Sequence, residues 1–224
     1  MGARQSSDPP RSLSVDDTLP FRFVAGESSL DLVNTVDWTA RGPERDRIGS
    51  YGRLIEWALA AKLIDDDEAS RLERRAFGRE REAARALELA YSLRWTLRRL
   101  VAALAAETPV PASVRLPLEE LNRFVADAFA HVRLAVTPTG ESDQPLPAWA
   151  WDDEPRRLDS LLWPVVRRAA ELLASSDVRR LRVCPGTDCG WVYVDRSRNG
   201  MRRWCEMSTC GTAEKSRRRR ERSR

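Results

Sequence analysis

Four cysteines, Cys184, Cys189, Cys205 and Cys210, are the residues here whose type and spacing speak most directly of chemistry. They fall as two C-x4-C pairs separated by fifteen residues. Each pair can supply half of a tetrahedral thiolate cage, with the intervening segment as the loop between two knuckles, and that is a zinc spacing. Thiolate sulfur suits Zn2+ better than magnesium or calcium. Four protein ligands leave no coordination position open, so one structural Zn2+ ion is expected rather than a catalytic one. Two disulfides and an iron–sulfur cluster are the competing uses of such a set. The N-terminal MGARQSSDPPRSLSVDD lacks the apolar segment of a secretion signal, and no stretch approaches the length of a membrane span. The expectation is a cytoplasmic chain without a membrane partner, where thiols stay reduced.

Charge is as uneven as the cysteines. The chain carries a formal +4, yet residues 181–224 hold twelve Lys and Arg against five Asp and Glu. Residues 1–180 are net negative by three. Four thiolates on one Zn2+ lower the tail from +7 to +5, which still favours a polyanionic partner. Its cations form two groups: Arg196, Arg198, Arg202 and Arg203 between the knuckles, and Lys215, Arg217, Arg218, Arg219 and Arg220 after them. Like charges at helical spacing repel unless phosphates or counterions neutralise them, so these are the candidate nucleic-acid contacts. A solvated, frayed tail is the bland use of the same run. Trp191 and Trp204 are expected to fill a small core around the metal rather than to stack on bases. Asp195, Ser197, Asn199, Gly200 and Glu206 match the oxygen positions of a calcium loop. Four arginines in that loop would repel a dication, so the polar side chains are read as satisfying a turn.

Upstream, residues that could do chemistry are scarce. His131, the single histidine, has no carboxylate or cysteine pattern beside it and reads as structural. The acidic run Asp65 to Glu68 reads as a helix start, where carboxylates cap free N–H groups. Asn34, polar within an apolar run, is either a satisfied core amide or a group facing an effector pocket. There is no Gly-rich phosphate loop, nucleophile elbow or HExxH motif, and only scattered carboxylates for acid–base work, so an enzyme is not expected.

The elements that must position these residues are mainly helical. Residues 1–20 read as a disordered lead-in and residues 21–176 as one domain. Phe21 to Val24 alternates like a strand, Ser28 to Val36 reads as a buried helix, and 40–49 is too polar to pack and reads as a solvated connection. Apolar stripes then predict helices from Ser50, over Glu80 to Ala106, over Leu118 to Ala128 and over Leu158 to Leu173. His131 to Val136 and Leu146 to Trp151 alternate as a β-hairpin. Residues 177–224 form the second unit. The expected class is α+β: a mainly α-helical N-terminal domain with a small β-hairpin or sheet, followed by a small C-terminal four-cysteine zinc-finger module.

Within that tail, the order C-x4-C-G-W-x-Y-x-D-x-S-x-N-x-x-R-R-W-C-x-M-x-x-C-G resembles the CGNR zinc-finger family, whose finger follows an N-terminal domain of the ABATE type. Leu30-Asp31-Leu32-Val33-Asn34-Thr35 is similar to the N-terminal motif of that domain. The chain departs from the pattern after Cys210-Gly211, where Thr212-Ala213 stands in place of the name-giving Asn-Arg. The resemblance implies a DNA-binding transcription regulator whose first domain senses a small-molecule effector or forms a homodimer. An RNA-binding or ribosome-associated zinc protein would use the same basic finger.

Overall fold

Among the residues described in the computed structural model (13–39, 42–106, 111–139, 142–152 and 157–223), the first element is a two-residue strand, β1 (Ser14–Val15). The helix α1 (Ser28–Val33) and the strands β2 (Val36–Thr39) and β3 (Gly42–Asp46) follow. They make a small sheet in the order β1-β3-β2, with β1 parallel and β2 antiparallel to β3. Three expectations need correction here. The lead-in is structured from Ser14, where pairing with β3 and a 2.7 Å bond from Gly49 N to Asp17 Oδ1 hold it; residues 1–12 lie outside the described residues. The polar stretch 40–49 contains a strand, with Asp46 and Arg47 buried, because its charges find partners: Asp46 pairs with Arg94 and Arg47 with Asp37. Phe21 to Val24 forms no strand; Arg53 stacks on the Phe21 ring at 3.9 Å, and Arg202 takes the Val24 carbonyl at 2.7 Å.

The helical scaffold follows the apolar stripes. Ser50 caps α2 (Tyr51–Ala60) by accepting from Arg53 N, and Asp65 caps α3 (Asp66–Ala76) by accepting from Glu68 N, so the acidic run is a helix start. The 27-residue α4 (Glu80–Ala106) buries Ala86, Ala90, Leu93, Leu97 and Leu100 along one face. Its neighbours include α1, α2, α3 and α5 (Arg115–Phe129). This last helix begins earlier than its stripe suggests, because Pro117 fits a first turn, where no N–H is needed. The hairpin of β4 (Val132–Thr139) and β5 (Ser142–Trp151) stands where alternation placed it. His131 stacks on Trp163 with ring centroids 4.3 Å apart, a packing role. A 3-10 turn, Leu158–Leu162, leads into α6 (Trp163–Ala174), with Pro164 in its first turn.

The tail contributes β6 (Leu181–Val183), antiparallel to β7 (Val192–Val194), then a π turn over Met207–Gly211 and α7 (Thr212–Arg222). The apolar core does not stop at the junction. Leu181, Trp191, Val192, Tyr193 and Val194 are buried in the same cluster as the helical residues, and α4 packs against both strands of the tail. Burying one face of β6–β7 on α4 removes apolar surface that a unit of this size could not cover alone.

Candidate metal centre

Each cysteine is delivered by a short device of the tail. Cys184 follows β6, and its N–H bonds the Trp191 carbonyl at 2.8 Å; Cys189 closes a tight turn through a 3.1 Å bond from its N–H to the Gly186 carbonyl. Asp195 shapes the approach to the second knuckle. Its carboxylate accepts from Ser197 N (2.9 Å), from Ser197 Oγ and from Arg202 N (3.0 Å), so the calcium-like pattern is a turn. Against burial, which would raise it, these bonds hold the Asp195 carboxyl below its ordinary range. Gly200 supplies the left-handed φ of +63° that the loop needs before Cys205.

The four sulfurs lie within 4.8 Å of one another, with Cys189 to Cys205 and Cys205 to Cys210 both 3.6 Å apart. A tetrahedron of sulfurs each about 2.3 Å from a central Zn2+ has edges of about 3.8 Å, so the donor set fits one ion. None of the four is in a disulfide. The electrostatics of the cage agree with the geometry. Hydrogen bonds from Cys189 and Cys205 pull the Cys184 thiol well down, while the same contact with Cys184 pushes Cys189 up. Cys205 is pushed up as well, by its bonds to Cys184 and Cys189 and by burial. One thiolate is thus easily formed and the next are opposed, so four together require a dication among them. The cage can hold one structural zinc.

The cage is clamped to the helical domain by residues of the Leu30–Thr35 motif. Asn34 faces no pocket: its Nδ2 donates to the Val192 carbonyl at 2.8 Å and its Oδ1 accepts from Val192 N at 2.9 Å. The amide mimics a strand neighbour for β7, which corrects the effector-pocket expectation. Asp31 Oδ1 accepts from Ala25 N at 2.9 Å, and the Ala25 carbonyl accepts from Val194 N at 2.9 Å. Burial pushes the Asp31 carboxyl up to about 7, against the hydrogen bonds from Ala25 and Val24 that would lower it. Trp191 donates to the Val36 carbonyl at 3.1 Å, with the guanidinium groups of Arg22 and Arg47 at 5.3 and 5.4 Å from its ring. Trp191 therefore fills core shared with the first domain, whereas Trp204 is only half-buried, beside Gly211.

The expected nucleic-acid contacts separate into two sets. Arg202 serves the fold: its guanidinium donates to the carbonyls of Val24, Trp204 and Cys205 and lies 4.4 Å from the Tyr193 ring. Arg196 bridges Glu27 and Asp177. Arg217 pairs with Glu214 and Glu221, and Arg218 with Glu214; hydrogen bonds from these two arginines hold the Glu214 carboxyl down to about 2. Arg198, Arg203, Lys215, Arg219 and Arg220 reach solvent and have no acidic partner among the described residues. Sequence reasoning passed over Asp31, Arg202 as a clamp, and Arg98, whose guanidinium sits over Trp38 at 4.8 Å. For Arg98 alone a signal was there: its i, i+4 spacing from Arg94 on a core helix.

A family model described as "Putative stress-induced transcription regulator" (ABATE) matches residues 26–176, two thirds of the chain. The chain belongs to the ABATE family. The CGNR zinc-finger model matches residues 180–223 of this ABATE protein, which covers all four cysteines and α7. No curated protein matches it. Among the described residues, no helix is long and apolar enough to cross a membrane.

Proposed function

We propose that this ABATE protein is a zinc-dependent transcription regulator that grips duplex DNA with one face of α7, while its helical domain senses an effector or holds two copies together. The observation that carries the reading is the set Lys215, Arg219 and Arg222. Their spacing of four and three residues places them on one helix face, and no acidic side chain among the described residues pairs with them. Like charges aligned in this way repel, and phosphates relieve the repulsion by displacing counterions. Arg198, Arg203 and Arg220 are the further contacts. Zinc on Cys210, two residues before α7, sets the direction in which that helix leaves the centre.

The protein acts in the cytoplasm, where the cage stays reduced, and it binds rather than catalyses. The effector site is a groove of about 690 Å3 bounded by α4, α5 and α6, with Leu89, Phe124, Leu162 and Trp163 as its apolar wall. Its four acids are tied up in ion pairs rather than poised for proton transfer: Asp127 and Asp159 pair with Arg157, Glu82 with Arg79 and Glu120 with Arg99.

The test is fluorescence anisotropy of the full chain with labelled duplex DNA across a salt series, zinc-loaded and after EDTA, with structured RNA as competitor. Affinity should fall linearly on a log–log salt plot and vanish with the metal. Binding indifferent to metal would sink the proposal. RNA displacing DNA at lower concentration than unlabelled DNA does would replace it with the RNA-binding reading.

A further inference from the structure

We infer that Arg98 of α4 is the counter-charge of the metal centre, a positioning residue that steadies the thiolate cage from the helical domain. Four thiolates around a dication leave an excess of two negative charges in a site where Cys184 and Cys205 are buried. Charge removed from water must be matched nearby. Other arginines at the junction have fixed partners: Arg22 pairs with Glu206, Arg47 with Asp37 and Arg94 with Asp46, and Arg202 holds three carbonyls.

Arg98 has none of these. Its Nη1 is shut off from solvent with no hydrogen-bond partner, and no acidic side chain among the described residues pairs with it. One face of the guanidinium covers Trp38, 4.8 Å from the ring centre. The group lies against Gly190, the residue after Cys189: a Cβ on Gly190 would stand 3.3 Å from Nη2 and 3.0 Å from the Trp38 Cβ. Glycine keeps that approach open, one residue after the ligand Cys189.

A cation whose Nη1 is sealed from water without an anion is costly, and loading the cage supplies the anion. The coupling is reciprocal: Arg98 strengthens zinc binding, and zinc strengthens the docking of β6–β7 on α4. The metal state is thereby communicated to the domain that carries the effector groove.

The inference rests on zinc occupying the cage, and one experiment separates the two claims. Zinc affinity of the full chain is measured by chelator competition for wild type, Arg98→Met, Arg98→Lys and, as a control on the exposed face of the same helix, Arg85→Met. Arg98→Met should bind zinc roughly 10–100-fold more weakly, as happens when outer partners of metal ligands are replaced. Arg98→Lys should recover most of that loss, and Arg85→Met should match wild type. With Co2+ in the cage, the sulfur-to-metal charge-transfer band should move to longer wavelength in Arg98→Met, because thiolates without a nearby cation release electrons more easily. Equal losses in the Met and Lys variants, or an Arg98→Met affinity within about twofold of wild type with an unmoved band, would overturn the role of Arg98. If the Met variant does not fold, Arg98→Gln against Arg98→Lys separates the same two outcomes. A wild-type chain that takes up no zinc would overturn the metal centre itself.

Discussion

Asn34 gives both polar ends of its side chain to the backbone of a residue 158 positions away. Replacing it with alanine strands a buried N–H and a buried carbonyl of Val192, which costs about 2–4 kcal/mol in all. Chemical denaturation of zinc-loaded Asn34→Ala should show that loss as a lower midpoint with an unchanged slope. Asp31 yields a prediction in pH. Its folded pKa of about 7 stands above the ordinary carboxyl value of 3.8, so folding takes up a proton between the two. The folded state is favoured below that window and loses the contribution as pH rises through 7. Thermal melts of the zinc-loaded chain should therefore show a higher Tm at about pH 6 than at about pH 8, and a flat profile across that range would contradict the assignment. Asp31 and Asn34 explain why a short motif far upstream accompanies this finger: one fixes the loop that pairs with Val194, and the other pairs with Val192.

At the level of elements, α7 carries its charges on two unlike faces. Glu214 and Glu221 quiet Arg217 and Arg218, whereas Lys215, Arg219 and Arg222 have no such neighbours among the described residues. Reversing Lys215 and Arg219 to glutamate should weaken duplex binding and lower the salt slope by roughly 0.9 for each phosphate no longer neutralised. Zinc content should not change, since neither residue is a cage ligand. A salt slope equal to wild type would place the DNA contact elsewhere. The helices were legible because their cores repeat at three and four residues, and α4 runs over the residues its stripe marks. Four thiols at zinc spacing were legible for a similar reason, since ligand type and interval are local properties. What local pattern could not carry was long-range pairing. Residues 42–46 look like solvated loop until Arg94 reaches Asp46, and Val192–Val194, though of strand-favouring residues, is too short to stand out until Asn34 and β6 flank it. Arg202 and Arg198 are alike as letters, and only the carbonyls gathered around Arg202 distinguish them.

At the scale of the whole molecule, the finger and the helical domain share one core, so the two family regions are not beads on a string. Removing zinc should therefore loosen the cage without melting the scaffold. With EDTA, amide hydrogen exchange should quicken across 184–222, while α4 keeps most of its protection and the far-ultraviolet helical signal is retained. Loss of protection in α4 to the same extent would mean that metal governs the entire fold. The bond between Asn34 and Val192 also has a bearing on biosynthesis. A nascent chain presents α1 early, but its amide must wait until residue 192 has left the exit tunnel. The helical domain thus emerges from the ribosome with an unfinished edge, which closes only when Val192 arrives to pair with Asn34.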